Sequence, residues 1–404
     1  MKYMVILIDG AADENVEALG NKTPLMVAKM PNIEKLSKTG QIGLVQTVPE
    51  GMSPGSDVAN LSIMGYEPEK YHTGRSPLEA LSAGVEMKDT DVAIRLNLVT
   101  LGDEESFSEK TIIDYSGGEI ETVESIQLIN ALKEAFDKSP YHIYPGISYR
   151  HVFIWENGSV NVEMVPPHNI LDKKIGSYLP KGDNEAFFRD FIEKGYELLK
   201  NHPINLARVK RGLKPANAPW LWGEGKKPLL DKFSEKNNLK GGVISAVDLI
   251  KGIGMGANMT VIEAPDVTGT IDTNFTGKSE AALEGLLNGL DYVYVHLEAP
   301  DECGHQGDVA GKVRSLELID EKIIGPILKG LEEANEDFRM LVVPDHRTPL
   351  NKRTHTMDPV PYLIFDSRKA LGNGNLYDEE HAKSGVFVST GPKLHDILIE
   401  KSDQ

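Results

Sequence analysis

Short apolar runs alternate with helix-like segments along most of the chain, and several runs end in an acidic residue or a histidine. Such runs lie at 3–8, 259–262, 292–295 and 340–343, with helical spacing at 279–290 and 309–334. Continuous Val, Ile and Leu runs that alternate with helices indicate a parallel sheet covered by helices on both faces. The predicted fold class is α/β, with a mainly parallel sheet flanked by helices.

The pattern changes between about residues 86 and 203. Strand-like pieces at 92–101, 111–115 and 151–155 are joined there by helices near 121–136 and 184–200, and Asn184 is the expected N-cap of the second helix. Strands with few helices predict a smaller α+β domain inserted into the first one. The Gly- and Pro-rich segment 212–228 would then lead the chain back. The predicted domains are 1–80 with 205–404, and the insertion 81–204.

Composition narrows the classes of partner. Across 404 residues the chain is 40% hydrophobic and 26% charged, as in an ordinary globular protein of two or three domains. Its net charge of −18 argues against a nucleic acid or an anionic membrane as partner. A single cysteine excludes an internal disulfide framework, and the first apolar run is too short for a signal peptide or a membrane span. We therefore expect a cytoplasmic protein, with its oligomeric state left open.

Candidate metal-binding side chains follow several predicted strands at the point where each strand ends. In open parallel sheets, ligands bind beyond the carboxyl ends of the strands. Each candidate has a structural alternative when taken alone, such as a helix-capping aspartate beside a surface histidine. Together, oxygen and nitrogen ligands without thiolates suit two divalent cations such as Mn²⁺ or Zn²⁺, a pair typical of phosphoryl transfer. The candidates are Asp9, Asp301, His305, Asp345, His346 and His355.

Ser56 is the candidate nucleophile. Gly55 gives the backbone freedom before it, and the residues from Asp57 to Leu61 are typical of a helix start. A hydroxyl at a helix N-terminus lies where backbone N–H groups favour phosphate, and a metal ion can activate such a hydroxyl without a neighbouring base. The structural alternative is a Ser-Pro-Gly turn with an N-capping serine.

Five motifs occur in an order that resembles a known family. They are "ILIDGAAD", "PGSDVANLSIMGY", "APDECGHQGD", "VVPDHRTP" and "THTMDPVPYLIF", with "GRSPLEALSAGVE", "DYSGGEI" and "GISYRHVFIW" between them. The chain resembles the cofactor-independent phosphoglycerate mutases, in particular the archaeal-type branch of the alkaline phosphatase superfamily. The resemblance covers nearly the whole chain, and it implies an alkaline-phosphatase-like core with an inserted substrate-binding domain.

The resemblance implies an activity and a role for each matching residue. The family moves the phosphate of 3-phosphoglycerate onto serine, re-orients the glycerate and returns the phosphate to the 2-hydroxyl, with two divalent cations and no bisphosphoglycerate. Mn²⁺ is the expected metal and Zn²⁺ the alternative. Asp9, Ser56, Asp345 and His346 would form one metal site, with Ser56 also phosphorylated, and Asp301, His305 and His355 would form the other. Residues expected to bind the small anionic substrate are Arg95, Asp114, Arg150, His151 and Lys251.

Two departures keep other functions open. Gln306 stands where the family often has Asp, and Glu119 where archaeal-type enzymes tend to have His. An acid at position 119 could repel a phosphoglycerate. One alternative is therefore a related phosphotransferase acting on another small alcohol such as homoserine, and a second is a metal-dependent phosphatase or phosphodiesterase. A non-catalytic metal-binding homologue is the alternative from a different class.

Overall fold

The computed structural model describes residues 1–372 and 374–401. In this part of the chain the strands are β1 Lys2–Ile8, β2 Gln41–Val45, β3 Val92–Leu101, β4 Ile112–Asp114, β5 Tyr141–Ile147, β6 Arg150–Trp155, β7 Val162–Glu163, β8 Lys181–Gly182, β9 Ala218–Lys226, β10 Gly241–Ile244, β11 Thr260–Val261, β12 Tyr292–Leu297, β13 Phe338–Val343, β14 Val360–Asp366 and β15 Val386–Val388.

The helices alternate with these strands. They are α1 Pro24–Val27, α2 Pro31–Ser37, α3 Ser56–Ile63, α4 Pro68–Tyr71, α5 Arg75–Ser82, α6 Thr122–Phe136, α7 Glu185–Leu199, α8 Pro203–Lys210, α9 Phe233–Asn237, α10 Asp248–Gly256, α11 Phe275–Leu287, α12 Ala299–Gln306, α13 Val309–Ile319, α14 Gly325–Glu333 and α15 Gly391–Leu398. Among the described residues, none of these helices combines the length and the apolar character that crossing a bilayer requires.

The chain divides into two compact units. The first consists of Met1–His72 and the chain from Leu230 onward, and the second is Thr73–Leu229. The second unit is longer at both ends than the predicted insertion 81–204, because it includes α5 and β9. The segment 212–228, expected to lead the chain back, contains β9, which pairs with β3 from Ala218 to Lys226.

The first unit contains an eight-stranded sheet among the described residues, in the order β11-β10-β12-β1-β13-β14-β2-β15. β12, β1 and β13 are parallel neighbours near its middle. β14 runs antiparallel to both β13 and β2. Residues 4–8 of β1 are fully buried, as a strand covered on both faces requires. The predicted α/β fold class with a mainly parallel sheet is confirmed.

The second unit is built on an antiparallel sheet in the order β4-β3-β6-β5, with β9 also paired to β3. Helices were predicted near 121–136 and 184–200, and α6 and α7 confirm both. An aromatic cluster that includes Phe153, Phe188 and Phe191 packs α7 against the sheet. Asn184 occupies the N-cap position of α7, as predicted, but its backbone is left-handed and its side chain makes no cap hydrogen bond. Its Nδ2 donates instead to the Tyr141 hydroxyl, 2.6 Å away.

Candidate metal centre

The sheet order of the first unit brings the candidate ligands to one edge. Asp9 follows β1, Asp345 follows β13, and Asp301 lies in the first turn of α12, directly after β12. Because these three strands are adjacent and parallel, their carboxyl ends meet at the same edge of the sheet. β14 is antiparallel and starts from that edge, so His355, which precedes it, lies there too.

A first group of ligand atoms comes from Asp9, Asp345 and His346, whose donor atoms lie within 4.8 Å of one another. Nε2 of His346 lies 3.2 Å from Oδ2 of Asp345 and 3.6 Å from Oδ1 of Asp9. The hydroxyl of Ser56 lies 3.2 Å from the same Nε2. The four residues expected to form one metal site are therefore close together.

A second group surrounds Asp301. Nε2 of His305 lies 3.3 Å from Oδ2 of Asp301, and Nε2 of His355 lies 3.5 Å from Oδ1. The two Nε2 atoms are 2.9 Å apart. The ring of His346 stacks on that of His355 at 3.8 Å, so Asp301, His346 and His355 also lie within metal-binding reach of one another. The two expected ligand sets are contiguous and meet at His346.

The imidazole rings are oriented by acceptors on their outer nitrogens. Nδ1 of His305 lies 3.0 Å from the carbonyl oxygen of Arg353, and Nδ1 of His355 lies 2.7 Å from that of Pro54. Since a carbonyl oxygen only accepts, Nδ1 is the donor in both rings. In a neutral ring this leaves the lone pair on Nε2, the atom that faces the carboxylates. This arrangement is typical of metal-binding histidines.

Asp9 provides a direct test of whether the site fits a cation. Its side chain is buried, Oδ2 lies 3.0 Å from Nε2 of His296, and Oδ1 has no hydrogen-bond partner among the described residues. Burial raises the pKa of Asp9 well above its ordinary value, and the nearby carboxylates of Asp345 and Asp301 raise it further. A buried carboxylate oxygen without a partner is costly. A divalent cation beside Oδ1 would remove that cost, so the side chains fit a metal.

Asp345 is held by donors on both oxygens. Oδ1 accepts from the backbone N–H groups of Gly10 and His346, at 3.1 and 2.9 Å. Oδ2 accepts from Nδ2 of Asn60, 3.0 Å away, and the Tyr294 hydroxyl donates to the other end of that amide at 2.7 Å. The carboxylate is therefore fixed in orientation before any metal binds.

Four supporting residues were not predicted from the sequence: Asn60, Tyr294, His296 and Thr348. Asn60 lies one helical turn after Ser56 and donates to its carbonyl oxygen at 2.8 Å, a spacing that could have identified it. His296 directly follows the apolar run 292–295 within β12, and its Nδ1 lies 3.1 Å from the Ser245 hydroxyl. The contacts of Tyr294 and Thr348 with the centre depend on the tertiary fold.

Gly10 allows β1 and α12 to approach each other. Its φ of +60° is the left-handed conformation that glycine adopts without strain. A Cβ at this position would lie 2.5 Å from Oδ1 of Asp301 and 2.8 Å from its Cα. Any side chain at position 10 would therefore displace Asp301.

Ser56 is the first residue of α3, and Gly55 occupies the N-cap position. The alternative of an N-capping serine at position 56 is wrong, because no side-chain cap bond is present at this helix. The hydroxyl instead points towards Nε2 of His346. It lies beside the first turn of α3, where unpaired backbone N–H groups favour an anion.

Two of the expected substrate-binding residues of the second unit have partners within that unit. The guanidinium of Arg95 binds both carboxylate oxygens of Glu79 and packs 4.5 Å from the ring of Trp222. Oδ1 of Asp114 accepts from the Ser116 and Gly118 backbone N–H groups at 2.8 and 3.1 Å. Oδ2 of Asp114 pairs with Lys214. Although burial alone would raise the pKa of Asp114, these donors together lower it to about 2. The hydrogen bonds of Asp114 thus stabilise the turn that follows it, at residues 115–118.

Arg150 and His151 are consecutive residues of β6 and therefore point to opposite faces of the sheet. Arg150 is exposed, and it pairs across the sheet with Asn97. His151 is 3% exposed, its Nδ1 accepts from the Gly146 backbone N–H at 2.9 Å, and burial lowers its pKa to about 3. The strand presents Arg150 to solvent and His151 to the interior.

Lys251 lies in the first unit, on α10, where its Nζ is 3.2 Å from a carboxylate oxygen of Glu263. Of the two departures from the family pattern, Gln306 ends α12 on the exposed side. Glu119 is exposed and has a left-handed backbone, with φ of +51°. Among the described residues, no hydrogen bond or ion pair joins either side chain to a candidate metal ligand, and Gln306 is 3.5 Å from Glu302 instead.

Sequence comparison agrees with this geometry. The family model described as 2,3-bisphosphoglycerate-independent phosphoglycerate mutase matches residues 37–205. A curated protein of that name from Methanothrix thermoacetophila is 48% identical over 99% of this chain and 100% of its own length. One described as a probable enzyme of this kind from Geobacter sulfurreducens is 45% identical, with the same coverage of both chains.

Solved structures agree as well. The PH0037 protein from Pyrococcus horikoshii has a TM-score of 0.83 at 27% identity, covering 100% of this chain and 98% of its own. The cofactor-independent phosphoglycerate mutase from Thermoplasma acidophilum has a TM-score of 0.69 at 25% identity, covering 99% of both. The fold is thus one that a cofactor-independent mutase also adopts. The chain belongs to the 2,3-bisphosphoglycerate-independent phosphoglycerate mutase family, which confirms the expectation from its motifs.

Proposed function

We propose that the protein interconverts 3-phosphoglycerate and 2-phosphoglycerate through a phosphoserine at Ser56. The observation that carries this proposal is the placement of the Ser56 hydroxyl, 3.2 Å from Nε2 of His346 and at the first turn of α3. Full-length relatives named as mutases of this kind support the choice of substrate. No bisphosphoglycerate is needed, because the enzyme itself carries the phosphoryl group between the two hydroxyls.

The proposed reaction balances in two transfers. In the first, a bond forms between phosphorus and Oγ of Ser56 while the bond to the 3-oxygen of glycerate breaks, and the serine proton ends on that oxygen. In the second, the 2-oxygen takes the phosphoryl group from Ser56, and the proton of the 2-hydroxyl returns to the serine. Substrate and product are isomers, and the enzyme is regenerated.

The residues of the first unit would prepare Ser56 for attack. Nε2 of His346, the atom that would bind the ion, lies beside the hydroxyl and would bring that ion next to it, and Asn60 fixes the helix turn that carries Ser56. The first backbone N–H groups of α3 favour the charged phosphoryl group. When bound, two divalent cations would lower the pKa of the serine hydroxyl and neutralise charge on the phosphoryl oxygens.

We propose Mn²⁺ as the metal, with Zn²⁺ as the alternative. Asp9, Ser56, Asp345 and His346 would hold one ion, and Asp301, His305 and His355 the other. Carboxylate and imidazole donors without a thiolate suit both metals. The only cysteine of the chain, Cys303, is buried in α12, and burial raises the pKa of its thiol to about 11, which disfavours the thiolate that a metal would bind.

The substrate would be held by basic side chains, and we propose Arg95, Arg150 and Lys251 for this role, with Asp114 orienting the glycerate. The expected contribution of His151 would require its buried, neutral ring to become exposed. Arg150 is the strongest of these, since it is exposed and no carboxylate pairs with it among the described ion pairs. Arg95 and Lys251 would have to exchange or share their present partners, Glu79 and Glu263.

The test is conversion of 3-phosphoglycerate by the metal-free chain reconstituted with Mn²⁺, followed through enolase and without bisphosphoglycerate. We expect turnover that depends on the metal. Ser56→Ala should abolish it while the thermal unfolding midpoint stays close to that of the unchanged protein. Ser53→Ala is the matched control, because Ser53 is exposed and only three residues away. Turnover that survives in Ser56→Ala would disprove the phosphoserine.

The Mn²⁺-reconstituted protein also distinguishes the proposed mutase from the alternative functions. Phosphorylation of homoserine with ATP, without mutase turnover, would favour the related phosphotransferase suggested by Glu119. Release of inorganic phosphate at the rate of substrate loss would favour a phosphatase. Absence of phosphate transfer at every metal loading would favour a non-catalytic metal-binding protein.

A further inference from the structure

The hydroxyl of Thr348 lies between the two candidate ligand sets. Oγ1 donates to Oδ1 of Asp301 in a short hydrogen bond, and it lies 3.2 Å from Nδ1 of His346. Thr348 is fully buried. One side chain thus contacts a ligand from each of the two proposed sites.

The direction of these two hydrogen bonds follows from the number of protons available. A hydroxyl has one proton, and a carboxylate oxygen only accepts, so the Thr348 proton points to Asp301. The contact with His346 then requires Nδ1–H to donate to Oγ1. Nε2 of His346 is left with its lone pair, and this is the atom that faces Asp9, Asp345 and Ser56.

The backbone of Thr348 is held from both sides. Its carbonyl oxygen accepts from Nζ of Lys312 at 2.8 Å, and its N–H donates to the carbonyl oxygen of Ala12 at 3.2 Å. Lys312 is itself fully buried and paired with Asp13, 2.6 Å away. Breaking a buried pair of this kind is costly, so the position of Thr348 is set before metal binds.

We propose that Thr348 is a positioning residue that couples the two metal sites. Its hydroxyl fixes the carboxylate rotation of Asp301 and, at the same time, the tautomer of His346. This inference rests on the proposed function, because it takes the two ligand sets to be metal sites. Without the hydroxyl, Asp301 can turn towards its two histidines and Nδ1 of His346 has no acceptor.

Both sites should therefore weaken when the hydroxyl alone is removed. Thr348→Val keeps the shape of the side chain, and Thr348→Ser keeps the hydroxyl. Loss of an outer hydrogen bond to a metal ligand typically lowers metal affinity roughly 10- to 100-fold. We expect a loss of that size at both sites in Thr348→Val, and affinities close to those of the unchanged protein in Thr348→Ser.

The experiment is calorimetric titration of Mn²⁺ into metal-free protein, without substrate. Thr100→Val is the matched control, because Thr100 is also buried and donates its hydroxyl to the Pro215 carbonyl oxygen in the second unit. It should lose thermal stability and keep its metal affinity. Unchanged affinity in Thr348→Val, or a loss confined to one site, would overturn the coupling.

A measurement on the unchanged metal-free protein covers the case in which Thr348→Val does not fold. Long-range nitrogen–proton NMR of histidine-labelled protein reports which ring nitrogen carries the proton, and His346→Gln assigns the signal. We expect His346 to be protonated on Nδ1, and a ring protonated on Nε2 alone would overturn the proposal. Neither the Mn²⁺ titration nor the NMR measurement requires catalytic turnover. A protein without mutase activity could therefore still show the predicted role of Thr348.

Discussion

At the scale of single residues, His305 and His151 occupy opposite electrostatic environments. In the first unit, the hydrogen bond to Asp301 raises the pKa of His305 to about 9. In the second unit, burial lowers the pKa of His151 to about 3, and no charged side chain opposes that effect. His305 is therefore cationic near neutral pH until a metal displaces its proton, whereas His151 is neutral and forms part of the core.

The buried His151 makes the free energy of unfolding depend on pH. The folded-state pKa lies below the unfolded value of about 6.5, so below that pH the unfolded chain binds a proton that the folded chain does not. Stability should fall as the pH drops from 6.5 towards 3. We expect this residue to contribute a loss of about 2 kcal/mol between pH 7 and pH 5.

Denaturant unfolding of the unchanged protein and of His151→Leu at both pH values measures this contribution. The variant should lose less stability than the unchanged protein over the same interval, although its Gly146 N–H loses an acceptor at every pH. An equal loss in both proteins would show that His151 is not buried as a neutral ring.

At the scale of elements, the strand order determines which parts of the centre could be predicted. Asp9 and Asp345 end buried apolar runs, so a parallel sheet brings them together whatever their distance along the chain. The contact of Thr348 with Asp301 spans 47 positions and that of Asn60 with Asp345 spans 285, and no local pattern encodes these two long-range hydrogen bonds. β9 was not predicted because its proline and two glycines are typical of a connection, whereas its pairing with β3 outweighs that local preference.

Gly10, in the connection after β1, allows the close approach of β1 and α12 to be tested. Gly10→Ala should cost backbone strain and also push Asp301 out of place, because the new Cβ has no room. Gly20→Ala is the matched control: its φ of +68° is similar, but a Cβ there meets nothing within 4 Å. Strain alone costs roughly 1–2 kcal/mol for an L-residue in this conformation.

Thermal unfolding and Mn²⁺ titration of both variants separate the two effects. Gly20→Ala should lose only the stability that strain removes, and its metal affinity should be unchanged. Gly10→Ala should lose more stability and bind Mn²⁺ more weakly. Equal behaviour of the two variants would contradict the close approach of β1 and α12.

At the scale of the whole molecule, the first unit concentrates negative charge in its interior. Asp9, Asp301 and Asp345 are all buried at one edge of the sheet, in a chain of net charge −18. Like charges in a medium of low dielectric repel strongly, so ionising all three carboxyl groups in the metal-free fold is costly, and the pKa of Asp9 is raised accordingly. A bound cation would relieve that repulsion and link stability to metal concentration.

Metal removal should therefore lower the unfolding temperature. At a free metal concentration one hundred times the dissociation constant, each occupied site would add about 2.7 kcal/mol to the free energy of unfolding. Calorimetric scans with Mn²⁺ and with a chelator test this. Asp9→Asn should lose the gain of its own site, about half of the metal-dependent total, without a lower midpoint in the chelator. An unchanged midpoint of the unmodified protein on chelation would contradict a metal centre.

The position of β1 in the sheet also sets an order of events during protein synthesis. Its neighbours β12 and β13 begin at residues 292 and 338, so the apolar residues 4–8 leave the ribosome long before a partner strand exists. At about 5–20 residues per second, that delay is on the order of tens of seconds. The second unit is contiguous from residue 73 to 229, so its strands can pair with one another during this interval. The central strand of the first unit is thus synthesised first among the strands of its sheet and is among the last to be paired, so we expect its apolar residues to be exposed to aggregation during synthesis.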